Sequence, residues 1–193
     1  MRPGWTRFLA SVSLSALVTL AAHAQHGGNG LPKTAARNYE TALGGLVPGR
    51  TSFRQAAAVL GRATSGSSWR TPSGDEITVD LDAKQLVQTV RMTQNLSAEH
   101  GRHDCSGCVS AGRAWKTGLG LRLGASEDRV IQLYGKPDSR SPSIKDGQQL
   151  ELLYYAFDWA GPDVPQVMEV LCTVGKNGEA GRVVEITLAA SSL

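Results

Sequence analysis

The 193-residue sequence predicts an α+β protein, two helix-plus-three-stranded antiparallel meander units packed into one body. Three observations predict it. The stretches Gly49–Ser65 and Gly118–Asp138 share a pattern: with Ser52 laid on Ser126, Val59 falls on Leu133, Leu60 on Tyr134, Gly61 on Gly135 and Arg62 on Lys136, an offset of 74 residues. Each stretch reads as a capped helix too short to stand alone, because helices below about 12 residues are marginal in water. Each is also followed by runs of alternating character separated by turn residues, which supply a sheet for the helix to lie on.

Taken in order, residues 1–24 read as a signal peptide. Arg2 and Arg7 precede an apolar run from Phe8 to Leu20, and Ala22-His23-Ala24 is a small-x-small cleavage site. The run is too short to span a bilayer comfortably, and no second apolar segment of about 20 residues follows, so no integral membrane segment is expected in the mature chain. Gln25 stands where a lipoprotein would carry its lipid-bearing Cys. The expectation is an exported protein, periplasmic or secreted. Loss of Arg2 and Arg7 turns 20 basic against 17 acidic residues into 18 against 17. No cluster of Lys and Arg alternates with aromatics, and nucleic acid is not an expected partner.

Residues 25–33 are a Gly-rich flexible leader. The first repeat, 34–95, opens with apolar residues at helical spacing over Thr34–Leu43, ended by Gly44-Gly45. Ser52 with Gln55 three residues on is a capping box for a helix over Phe53–Leu60, closed by Gly61. Strands follow at Ser68–Arg70, Glu76–Leu81 and Leu86–Met92. A linker loop, 96–117, separates this from the second repeat, 118–193. There Leu119, Leu121 and Leu123 read as a strand-like lead-in, Ser126 caps the helix and Gly135-Lys136-Pro137 ends it. The matching strands are Leu150–Phe157, Val167–Val174 and Arg182–Leu188, with a Gly- and Pro-rich loop from Trp159 to Pro165 and a turn at Gly175–Gly178.

The linker holds His100, His103, Cys105 and Cys108 within nine residues. In an oxidising compartment the Cys-x-x-Cys pair closes to a local disulfide. Two imidazoles and two thiolates are also a chemically suitable zinc set, although the spacing is tighter than in zinc fingers. A thiol redox site would need the first Cys at a helix N-terminus, and Gly, Ser and Arg around it do not build one. Cys172, alternating with Met168 and Val170, reads as a buried small hydrophobe, with pairing to Cys105 or Cys108 a secondary alternative.

Gly118-x-Gly120-x-x-x-Gly124 departs from the dinucleotide fingerprint in spacing, and no Gly-x-Ser-x-Gly is present. No catalytic residues and no cofactor are therefore expected, zinc being the alternative. A binding surface is expected instead. Leu153, Tyr155 and Phe157 alternate onto one face of their strand, with Leu171 and Val183 joining from neighbouring strands and Trp159 just beyond, whereas Leu152 and Tyr154 take the other face. An apolar second face on a sheet points to a partner or to internal cover.

The Gly124/Ser126 helix lead-in, the Tyr134-Gly135-Lys136-Pro137 exit and the helix-then-meander order, present twice, resemble the repeat shared by the secreted β-lactamase inhibitory proteins and the small outer-membrane assembly lipoproteins. The resemblance covers roughly residues 44–92 and 118–188. It implies an exported, non-enzymatic protein that binds another protein through the sheet face away from its helices.

Overall fold

The computed structural model describes residues 37–96, 107–109, 115–161, 163–175 and 179–190. Both short helices form over the expected residues, α1 at Phe53–Leu60 and α2 at Glu127–Tyr134. The caps explain why. The Ser52 hydroxyl accepts from the Gln55 backbone N–H at 3.3 Å and the Gln55 side chain accepts from the Ser52 N–H at 2.8 Å, so two otherwise orphaned donors are satisfied reciprocally. Ser126 accepts from the Arg129 N–H, and Glu127 and Asp128 place negative charge at the positive end of the helix dipole. Gly61 and Gly135 end the helices at φ +91° and +77°, a conformation that side-chain-bearing residues rarely adopt.

The two packed units expected from the sequence are not what the strands build. The strands are β1 (Ser68–Arg70), β2 (Glu76–Leu81), β3 (Val87–Thr93), β4 (Ser139–Lys145), β5 (Gln148–Ala156), β6 (Val167–Thr173) and β7 (Val183–Ala189). They form one continuous seven-stranded sheet in the order β1-β2-β3-β7-β6-β5-β4, antiparallel throughout. The join is β3 to β7, where Val90 lies opposite Leu188 and Met92 opposite Ile186. Two separate meanders would each have left an edge strand with unpaired backbone groups, and pairing those edges removes both. The second group of strands also has four members. Strand β4 was not expected, and it joins β5 through Asp146-Gly147, whose positive φ values of 49° and 74° are those of a tight hairpin turn.

Two further expectations fail for tertiary reasons. Residues 37–43 form no helix: they run as a strap across the C-terminal end of α2. There Arg37 Nε donates to the Tyr134 carbonyl and Asn38 Nδ2 to the Leu133 carbonyl, capping a helix elsewhere in the chain. Likewise Leu119, Leu121 and Leu123 do not lie on a strand. Thr117–Gly120 turns back on itself, leaving Leu121 fully buried and Leu119 exposed. The signal-peptide and leader residues, and residues 176–178 of the Gly175–Gly178 turn, lie outside the described residues.

Both helices cover the same face. Phe53 of α1 contacts Trp69 at 6.0 Å between ring centroids, and Tyr134 of α2 contacts Tyr155 at 5.9 Å. Through the register, Trp69, Ile77, Met92, Ile186, Val170 and Leu153 make one row across six strands of that face, all fully buried. Among the described residues no helix is long and apolar enough to cross a membrane.

Candidate functional site

The face of the sheet turned away from the helices is the candidate site, and the register defines its composition. One row reads Ser139, Tyr154, Glu169, Thr187, Arg91, Thr78 and Ser68 across all seven strands. The next reads Ser141, Leu152, Leu171, Glu185, Thr93, Glu76 and Arg70. On β1, β2, β3 and β7 this face is therefore hydroxyls and charges. On β5 and β6 it is apolar around Glu169, with Leu152, Tyr154, Val167 and Leu171 half-buried and Leu150, on the same face, buried.

The charges on this face are largely paired. Arg70 reaches Glu76 at 3.4 Å, and Glu185 takes both Arg91, at 3.4 Å, and Lys145. The Thr93 hydroxyl donates to the same Glu185 carboxylate at 3.2 Å. Ion pairs of this kind contribute modestly to stability but fix the orientation of their side chains. Tyr154 and Glu169 are opposite each other on β5 and β6, and neither side chain has a hydrogen-bond or ion-pair partner among the described residues.

The residues singled out from the sequence are distributed differently. Leu153, Tyr155 and Phe157, expected on an outer binding face, are each fully buried under α2 and the strap. The alternation was right and its direction inverted, because both sets on β5 are apolar and only the neighbours decide which faces the helices. Tyr155 packs between Tyr134, Phe157 and the Arg37 guanidinium, 5.2 Å from its centroid, and donates to the Gly135 carbonyl at 3.1 Å. Burial pushes its phenol up to about 12. Val183 is on this buried side, whereas Leu171 lies on the helix-free face. Trp159 is 53% exposed, but on a one-turn 3-10 helix, Asp158–Ala160, with its ring edge-on to Tyr39 of the strap.

Cys172 is fully buried and unpaired, with its thiol pushed up to about 12 chiefly by burial, which leaves it inert. His100, His103 and Cys105 lie outside the described residues. Beside Cys108, the Val109 N–H donates to the Arg70 carbonyl at 2.9 Å, docking this end of the linker on β1.

One buried polar cluster escaped the sequence reading. Glu40, 1% exposed, accepts from the N–H groups of Thr41, Ala42, Gly118 and Leu119 and from the Tyr134 hydroxyl at 2.6 Å. Thr117 completes it, donating to the Tyr134 oxygen while accepting from the Leu121 N–H. Burial, with Glu40 adding to it, raises the Tyr134 phenol far above its ordinary range, so it stays a donor. Every oxygen is occupied and nothing faces solvent: the cluster ties the strap to α2 and offers no room for a substrate.

No protein family description matches the chain, and no curated protein matches it. Among solved structures, the crystal structure of a DUF4309 family protein (YjgB) from Bacillus subtilis subsp. subtilis str. 168 is similar at 10% identity, covering 80% of this chain and 88% of that one, with a TM-score of 0.42. Similarity at that level carries no inference about function.

Proposed function

We propose that the protein is an exported, non-enzymatic module that binds another protein through the helix-free face of its sheet. The observation that supports this most is the Leu152, Tyr154, Val167 and Leu171 patch on β5 and β6. The face of an antiparallel sheet opposite its helices is ordinarily solvated and polar, as it is here on β1 to β3, and an apolar stretch flanked by hydroxyls and fixed charges has the composition of an interface core with a polar rim. Export is supported by the Arg-flanked apolar run and the Ala22-His23-Ala24 site, and protein binding also by the repeat resemblance.

The test is capture. Leu171→Lys should leave the melting temperature nearly unchanged and remove the proteins that the wild type retains from an envelope extract. A folded Leu171→Lys variant that still retains all of them would sink the proposal. In the same compartment Cys105 and Cys108 are proposed to close the local disulfide, since Cys172 is buried and unpaired. Thiol titration should then find no fast-reacting thiol in the native protein and one after denaturation. Three thiols together with one equivalent of zinc would favour the metal reading of His100, His103, Cys105 and Cys108.

A further inference from the structure

The centre of the helix-free face carries a charge that no described residue compensates. Its strand residues include four acids, Glu76, Asp80, Glu169 and Glu185, and three bases, Arg70, Arg91 and Lys145. All three bases are engaged, by Glu76 and Glu185. Of the two acids left over, Asp80 is exposed on β2, away from the apolar patch, and Glu169 sits within it. Tyr154 and Thr187 are directly opposite Glu169, and Val167 and Leu171 precede and follow it on the same face of β6.

This placement constrains what can cover the patch. A partner that buries Leu152, Val167 and Leu171 must also remove the Glu169 carboxylate from water, and a buried carboxylate without a counter-charge is strongly unfavourable. Every described base on the face is already taken, so the cation is assigned to the partner. The neighbouring ring selects its type. A guanidinium is planar, lies flat on an aromatic face and gives two parallel N–H groups to a carboxylate, whereas an ammonium is a strongly hydrated point charge that does neither as well.

We infer that the partner of this face presents an arginine side chain, seated on the Tyr154 ring with its guanidinium donating to Glu169, among apolar side chains that cover Leu152 and Leu171. This rests on the protein-binding reading above and specifies the chemistry of the partner. The probe is an array of apolar nonapeptides with a central arginine, matched by peptides in which neutral, isosteric citrulline replaces it. The wild-type protein should bind arginine peptides at least about tenfold more tightly than their citrulline counterparts, a difference of about 1.4 kcal/mol. Glu169→Gln should erase that preference without changing the melting temperature, and Glu169→Lys should abolish binding of the arginine set.

Equal binding of the two sets by the wild type, a preference that persists in Glu169→Gln, or no binding to either set would each overturn the inference. Leu171→Lys on the same array separates the two proposals. Peptides lost with Leu171→Lys but indifferent to citrulline would leave the binding face standing and the arginine wrong. Peptides that Leu171→Lys still binds would remove both.

Discussion

Tyr154 and Tyr155 are adjacent in sequence and identical in chemistry, and they have opposite fates. Tyr155 is fully buried, its hydroxyl committed to Gly135 and its ring enclosed by Tyr134, Phe157 and Arg37. Tyr154 is half-buried on the other face, with no partner for its hydroxyl among the described residues. The same contrast extends along β5 and β6: Leu153, Met168 and Val170 are inside, while Leu152, Val167 and Leu171 remain partly open. Apolar character alone therefore does not mark the core. What distinguishes the faces is whether a helix and a strap arrive to cover them, and on the helix-free side nothing in the described chain uses Tyr154 or Glu169.

The largest effect should come from the closed side. Tyr155→Ala removes a ring from a filled site and leaves the Gly135 carbonyl without its donor, so a loss of about 3–5 kcal/mol in unfolding free energy is expected. Chemical denaturation measures it. A loss below about 1 kcal/mol would mean that the two faces of β5 are not as different as their burial indicates.

How far the sequence could anticipate this contrast depended on the range of the interactions involved. The helices were legible because their signals are local: Ser52 and Gln55, Ser126, and Gly61 and Gly135 act within four residues of themselves. β1 and β2 were equally legible from alternation between turns. The pairing of β3 with β7 was not, since alternation identifies a strand without naming its neighbour. β4 was missed because Ser139–Lys145 is polar and contains Pro142, although Asp146-Gly147 was a usable hairpin signal. The strap was read as a helix because Ala35, Tyr39, Ala42 and Leu43 have helical spacing. Its actual conformation is set by Glu40 binding Gly118 and Leu119, partners more than 70 residues away. The candidate site suffered most, because the face that β5 offers to solvent depends on α2 and the strap rather than on β5.

A smaller effect, again confined to the closed side, should appear with pH. The Asp138 carboxylate receives two hydrogen bonds from the Arg37 guanidinium, at 2.7 and 2.9 Å, which hold its pKa below the ordinary carboxylate value. A group whose folded pKa is depressed favours folding above its unfolded pKa, and that contribution is lost as pH falls through the folded value. Unfolding free energy should therefore decline on acidification below the usual carboxylate range, and Asp138→Asn should make the decline shallower. Because the pair is partly exposed, its contribution is under about 1 kcal/mol and shrinks further in salt. A slope identical in wild type and Asp138→Asn would show that the strap is not held through this pair.

A comparably small expected change in stability is the most informative about function. Tyr154→Ala deletes as many atoms as Tyr155→Ala, one residue away, but on the side where neither helix lies, and its hydroxyl leaves no described group unpaired. Its ring contributes some cross-strand packing with Glu169 and the neighbouring leucines, so a cost of up to about 1 kcal/mol is expected. The ratio between the two tyrosine variants measures how closed one face is relative to the other. If Tyr154→Ala costs as much as Tyr155→Ala, some part of this chain already covers the helix-free face, and no partner is needed to account for its apolar character. If the cost stays small while capture and arginine-peptide binding both fall, Tyr154 serves the partner and contributes little to the fold.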